Sequence, residues 1–309
     1  MSSPGTIRDS MGQDGGRTAE EVTPSTAVHR VAQQPAWPDG HFYSPVVDVT
    51  EAQRDRGRVW HDGEDPPGID FRPAAQAAFL RDCVGTYIGE YDYPEELPEG
   101  SPEGTFYTRN TQFSWLDART LFAVLRHYRP RRMIEVGSGY SSLLTADVNV
   151  RFLGGTVDFH CIEPYPRPFL QRSVPGINEV IVRRVQDVDR SMFSTLREGD
   201  VLFIDSSHVS KTGSDVNYLY LDVLPRLAPG VLVHIHDIFL PREYPKPWVV
   251  EEGRSWNEQY LVQAFLMFNS AFEVVFGSNY AAIRLPERVA EVLGGRIFGG
   301  GSLWLQRRC

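Results

Sequence analysis

The alternation of apolar and polar residues divides the chain into three stretches. Residues 1–40 are rich in Gly, Ser, Thr, Pro and charge and hold few large apolar side chains. Such a segment cannot offset the entropy of ordering, so a disordered or loosely docked arm is expected there. Residues 41–70 stay rich in Pro, Gly and Asp. The rhythm then changes. Phe79, Leu80, Cys83, Val84, Tyr87, Ile88 and Tyr91 recur at steps of three and four, which predicts an amphipathic helix. A Pro/Glu/Gly loop follows over residues 93–105. A second helix is predicted from near Ser114, with Leu116, Leu121, Phe122, Val124 and Leu125 on its apolar side and Arg129–Pro130 at its end. Residues 41–130 thus read as an N-terminal helical extension.

From Arg132 onward, short apolar runs alternate with helical patterns. The runs are Met133–Val136, Phe159–Ile162, Val180–Val182, Val201–Ile204 and Val231–Ile235. Continuous apolar runs of this length suit strands buried on both faces of a parallel sheet. Between and after them, Ser141–Val150, Val216–Leu227 and Glu258–Asn269 carry helical periodicity, and Phe272–Phe276 and Ser302–Leu305 are candidates to complete the sheet. Repeated βαβ units with right-handed crossovers make an α/β, Rossmann-like, doubly wound and mostly parallel sheet with helices on both faces over residues 131–309.

Bulk composition narrows the function classes. The 309 residues are 41% apolar, as in soluble globular proteins, and carry a formal charge of −9 with no Lys/Arg-rich tract. That balance argues against nucleic acid as the main partner. The three cysteines, Cys83, Cys161 and Cys309, form no C-x-x-C pair, so a reducing compartment is expected. The N-terminus has no apolar core of a secretory signal and no window approaches a membrane span, so the cytoplasm is the default and no membrane partner is expected.

Candidate chemistry begins at Ile134-Glu135-Val136-Gly137-Ser138-Gly139-Tyr140-Ser141-Ser142, which ends a strand and opens a helix. Gly137 and Gly139 permit a sharp turn and close approach of a ligand, and the helix start at Ser141 offers free N–H groups. In a doubly wound sheet, ligands sit at this carboxyl edge. A dinucleotide fingerprint would have glycine where Ser142 stands, and the acidic Glu135 suits a cationic ligand better than a diphosphate. A tight turn with no ligand is the plainer alternative. Glu163 ends the next strand, where a carboxylate can accept ribose hydroxyls. In Val185-Gln186-Asp187-Val188, Asp187 is able to accept from an adenine amino group while Val188 covers the ring; a helix N-cap is the other reading.

The ordered segments E-V-G-S-G, I-E-P, Q-D-V and F-I-D resemble the motifs of class I S-adenosylmethionine-dependent methyltransferases over roughly residues 105–305. The resemblance implies Glu135, Gly137 and Gly139 around the methionine part, Glu163 at the ribose and Asp187 at the adenine, with Ser141 at the helix start a further cofactor-binding candidate. It also implies seven strands, the last antiparallel. A nicotinamide-dependent oxidoreductase and a catalytically silent cofactor-binding protein are the alternatives.

Two adjacent strand ends supply a His/Asp cluster: Asp205 and His208 from Phe203-Ile204-Asp205-Ser206-Ser207-His208, and His236 and Asp237 from His234-Ile235-His236-Asp237. Three readings are open. A histidine, His208 first, acts as general base for an acceptor proton. Alternatively, a divalent metal orients and acidifies an acceptor hydroxyl. By resemblance to catechol-type and macrocin-type O-methyltransferases, Asp205 and Asp237 would hold magnesium, although Ile238 stands where the catechol pattern has an amide. His and Asp together would also suit a transition metal. The third reading is a hydrogen-bonded network without chemistry. The stretch Phe239–Pro245, with Trp248 and Trp256–Tyr260, is a candidate lid over a polar, ring-containing acceptor. Phe106–Phe113 is a second candidate flap, with Arg109 placed to meet the methionine carboxylate; a surface turn is the other reading. The expected partner is a small hydroxyl-bearing acceptor such as a sugar or natural-product scaffold. The N-terminal helices offer a surface for a homo-oligomer.

Overall fold

The strand order governs where any ligand sits. A computed structural model describes residues 35–309, so the arm expected over residues 1–40 falls almost wholly outside the described residues. Seven strands form one sheet in the order β3-β2-β1-β4-β5-β7-β6. They are β1 (Arg132–Val136), β2 (Asp158–Ile162), β3 (Glu179–Ile181), β4 (Val201–Ile204), β5 (Leu232–Ile235), β6 (Phe272–Gly277) and β7 (Leu303–Arg307). β7 runs antiparallel to both β5 and β6, while β1 to β5 are mutually parallel. The order reverses between β1 and β4, which opens a crevice at their carboxyl ends.

Strand alternation sends side chains to two cores. Met133, Phe159, Cys161, Val201, Phe203 and Trp304 face the helices Trp115–Tyr128 and Tyr140–Leu153. Ile134, Ile162, Leu202, Ile204, Val233 and Leu305 face the opposite layer, which includes Val216–Leu227 and Val262–Leu266. The helix Trp115–Tyr128 follows an extended Ser114 and stops where Arg129 turns left-handed (φ 50°) ahead of Pro130. Pro130 disfavours the helical conformation at the residue before it. Residues 39–309 form one compact unit.

Several element bounds differ from the sequence expectation for identifiable reasons. The segment expected as one helix over 216–227 is α-helical only at Asp215–Tyr218. It widens to a π turn at Leu219–Val223 and tightens at Leu224–Arg226, where Pro225 has no N–H to continue the ladder. The helix expected to begin at Phe79 begins at Pro73 and also carries a π turn at Leu80–Val84. Two helices, Ser278–Arg284 and Pro286–Val292, were not anticipated, because their short pattern is broken by Pro286. Among the described residues, no helix is long and apolar enough to cross a membrane.

Two features of β1 set the geometry beyond it. Glu135 lies fully buried among apolar neighbours, and its carboxylate accepts from Ser141 Oγ at 2.5 Å and from Cys161 Sγ at 3.6 Å. Burial raises its pKa to about 7 against the opposing hydrogen bonds of Ser141 and Ser142. Gly137 then turns at φ 82°, and a Cβ there would lie 1.6 Å from the Asp205 carbonyl oxygen. No side chain fits between β1 and β4 at this point.

Two outcomes follow. Gly137→Ala meets both the left-handed backbone and the Asp205 carbonyl, so it should cost about 3 kcal/mol or more in urea unfolding; an unchanged midpoint would contradict the close approach. Glu135 is protonated in the fold at a pH where the unfolded chain has ionised it. Its contribution is therefore full below about pH 4.5 and is lost as pH rises through about 7, a swing of about 3 kcal/mol. Thermal melts of the unliganded protein from pH 5 to pH 8.5 should fall more steeply for the native chain than for Glu135→Gln. Parallel curves would show that Glu135 is not held neutral.

Candidate active site

The crevice between β1 and β4 holds a cavity of about 260 Å³. Its walls come from the glycine turn (Gly137, Ser138, Gly139), from Glu163 and Arg167 beyond β2, and from Asp205 at the end of β4. The turn is held open by backbone bonds. Gly137 N–H donates to the Ile162 carbonyl at 3.0 Å, and Asp205 N–H donates to the Val136 carbonyl at 2.8 Å. Ser142 Oγ accepts from the Gly139 amide at 3.0 Å, which starts the helix Tyr140–Leu153. Gly139 differs from Gly137. Its φ is −163° and its ψ −125°, and a Cβ there would meet only Arg167 Nε at 4.0 Å. Packing against the protein does not demand glycine at 139; the side chain it lacks would occupy the cavity.

Glu163 Oε2 accepts from the Ser138 amide at 3.1 Å and Oε1 from the Tyr165 amide at 2.8 Å, so its carboxylate is fixed at the cavity rim. Tyr165 also lines the cavity and is 85% exposed, which leaves one ring face available to a planar ligand. Arg167 bridges the rim by donating from Nη2 to Gln112 Oε1 at 2.7 Å. It forms no ion pair among the described residues.

The sequence-predicted residues do not all converge. Glu135 sits directly behind the turn, one layer beneath the cavity, and its Ser141 partner is nearly buried. Asp187 is exposed beyond β3 and lies outside the cavity wall. Both its oxygens are taken by Arg184, at 2.8 and 2.9 Å. Arg109 is also outside: it pairs with Glu96 at 2.7 Å and lies over the Trp115 ring, drawn to the acidic loop that precedes the helix. The cationic side chain of the cavity is Arg167, four residues past Glu163. Proximity to that strand end was the signal for it in the sequence.

The His/Asp cluster does assemble, beside Asp205 on the same edge. His208 is 5% exposed and adopts φ 58°. Its Nδ1 lies 2.8 Å from Glu258 Oε2, its Nε2 is 3.2 Å from Asp205 Oδ1 and 3.7 Å from Asp237 Oδ2, and the Trp256 ring covers it at 4.3 Å. Burial opposes the imidazolium, but hydrogen bonds to Asp205 and Glu258 outweigh it and raise the His208 pKa well above its ordinary value. Both ring nitrogens of His208 face carboxylates, which favour the protonated ring.

His236 is 4% exposed. Its Nε2 lies 3.4 Å from the Gln112 carbonyl and 3.5 Å from Asp237 Oδ1. Burial again opposes the charge, and Asp237, Asp205 and Asp117 raise its pKa. These carboxylates favour the protonated form of His236. His234, on the same face, is held neutral by burial and rests on Phe203 at 3.8 Å with Nε2 near Ser302 Oγ. Burial pushes Asp205 up, yet His236 and His208 carry it below the usual carboxylate range. Asp237 remains raised by burial. Glu258 was read in the sequence as part of the Trp256–Tyr260 lid and as the start of a helix; its place behind His208 needs the 50-residue separation to be closed in space.

The family model described as a methyltransferase domain matches residues 134–238, from β1 through β5. A protein of Archaeoglobus fulgidus, itself uncharacterized, is 38% identical over 183 residues, 57% of this chain and 82% of that one. Among solved structures, an O-methyltransferase of Streptomyces achromogenes involved in tomaymycin synthesis, in complex with S-adenosylmethionine, is 15% identical. It covers 84% of this chain and 96% of its own, with a TM-score of 0.38. An O-methyltransferase of Bacillus cereus in complex with S-adenosylhomocysteine is 12% identical, covering 75% and 91%, with a TM-score of 0.37. With the methyltransferase match spanning the glycine turn and both strand ends of the His/Asp cluster, the chain belongs to the class I S-adenosylmethionine-dependent methyltransferases.

Proposed function

We propose that the β1–β4 cavity binds S-adenosylmethionine and that the protein transfers its methyl group to a hydroxyl of a small molecule. The observation that carries the reading is Gly139: no protein contact requires glycine there, and its missing side chain leaves room inside a cavity bounded by Glu163, Arg167 and Asp205. Glu163 has acceptor lone pairs for two ribose hydroxyls beyond its bonds to backbone amides. Arg167, without an ion pair among the described residues, is the group for the methionine carboxylate; a charge-assisted fork of this kind is stronger than a neutral bond. Tyr165 offers its exposed ring to the adenine. The cofactor supplies an electrophilic methyl on a sulfonium, so the residues of this chain mainly align donor and acceptor.

For the acceptor, a second cavity of about 420 Å³ is lined by Phe239, Arg242, Glu243 and Tyr244 of the segment after β5, with Trp60 and Asn279. Its mixture of rings and charges suits a polar, ring-containing molecule. A hydroxyl acceptor gains negative charge as its proton leaves, and His208 and His236, at the same sheet edge as Asp205, are the groups able to offset it. Asp205 and Asp237 also fit a divalent cation. Only 14% of the Asp237 side chain is exposed, and its oxygens stand 3.5 Å from His236 Nε2 and 3.7 Å from His208 Nε2, longer than a good hydrogen bond, which leaves lone pairs for a cation. Such an ion, when bound, supplies Lewis-acid polarisation of the acceptor oxygen.

Calorimetry with S-adenosylmethionine, S-adenosylhomocysteine and NAD tests the cofactor. Micromolar affinity is expected for the first two, with no heat from NAD. Gly139→Val should weaken binding about tenfold or more at an unchanged melting temperature, since the added methyls fill ligand space and not protein space. Binding of NAD alone, or a Gly139→Val protein that binds normally, would overturn the assignment.

A further inference from the structure

The geometry points to His208 as a third protein ligand of a metal at Asp205 and Asp237, and to a first-row transition ion such as manganese, cobalt or zinc as that metal in place of magnesium. The inference deepens the proposed methyl-transfer site and rests on it. Three donor atoms, one each from Asp205, His208 and Asp237, lie within 4.8 Å of one another. Ligands about 2.1 Å from a shared ion at tetrahedral or octahedral angles stand about 3.0–3.4 Å apart. The 3.2 Å from His208 Nε2 to Asp205 falls in that range, and the 3.7 Å to Asp237 is a few tenths beyond it.

The other side of the ring is prepared in the manner of a metal-bound histidine. A ligating imidazole ordinarily donates its far N–H to a carboxylate that fixes the tautomer and the ring plane. Glu258, 0% exposed, does this for Nδ1 at 2.8 Å, and Trp256 covers the ring. Asp237 is shielded, with Oδ2 at 3.7 Å from the same Nε2 and Oδ1 at 3.5 Å from His236 Nε2, both longer than a good hydrogen bond. The next residue is Ile238, whose side chain is 3% exposed and has no donor atom, so the strand end after Asp237 supplies no third oxygen. His208 supplies a nitrogen instead. An imidazole donor favours manganese, cobalt and zinc over magnesium, which prefers an all-oxygen shell. On binding, Nε2 releases its proton to solvent and forms the metal bond, while Nδ1 keeps its proton on Glu258.

The test uses full-length protein stripped with chelator, titrated with cobalt, zinc and magnesium, with S-adenosylmethionine binding measured on the same stripped sample. One equivalent of cobalt should bind about 100-fold more tightly than magnesium and give visible d–d bands altered from those of the aqueous ion. His208→Asn keeps the left-handed backbone, which Asn tolerates, and should bring cobalt affinity down to that of magnesium and remove the altered bands. Glu258→Gln should weaken cobalt about 10- to 100-fold and leave magnesium unchanged. Cobalt binding no tighter than magnesium, an unaltered spectrum, or a His208→Asn protein with native cobalt bands would overturn the assignment. Failure of S-adenosylmethionine to bind the stripped protein would instead overturn the cofactor reading on which it rests.

Discussion

The approach of the Gly137 backbone to the Asp205 carbonyl sets the arrangement of everything at the carboxyl edge of the sheet. β1 and β4 meet there with no side chain between them. The glycine turn and the end of β4 therefore share one wall, and the cavity and the His/Asp cluster become neighbours. Strand order does the rest. Because the sheet reverses at β1 and β4, the loops after β1 and β2 close one side of the crevice and those after β4 and β5 close the other.

Charge at this edge is balanced by pairing more than by exposure to water. Asp205, Asp237 and Glu258 surround His208, and Asp237, Asp205 and Asp117 act on His236. Two buried imidazoles thus sit among four carboxylates, and that excess of carboxylates is what a bound cation would meet. Asp117 is itself fixed by the backbone amides of Gly301 and Ser302, at 2.8 and 2.9 Å. It ties the start of the helix Trp115–Tyr128 to the loop before β7 and backs the cluster from behind. Loss of one partner here would leave others buried and uncompensated, which is costly.

The fold was largely legible in the sequence, because buried parallel strands write themselves as short apolar runs and each turn after them is marked by glycine or a carboxylate. The glycine turn, Glu163 and Asp205 stand at strand ends for that reason, and the folded chain brings them to one cavity. What escaped was set by distance along the chain. Glu258 stands 50 residues from His208, and only the folded loop between β5 and its helix brings them together. Arg109 and Asp187 were selected by local chemistry, yet each found a nearer ion-pair partner, Glu96 and Arg184. His208 was read as a base because an isolated imidazole titrates near neutrality; three surrounding carboxylates favour its protonated form, and no local pattern reveals them.

The most direct test of the account is a crystal structure of the protein with S-adenosylhomocysteine. The account predicts the ligand in the β1–β4 crevice, its ribose on Glu163, its carboxylate on Arg167 and its sulfur toward Asp205. A ligand seated elsewhere, or with its carboxylate on Arg109 and Arg167 still bound to Gln112, would contradict it.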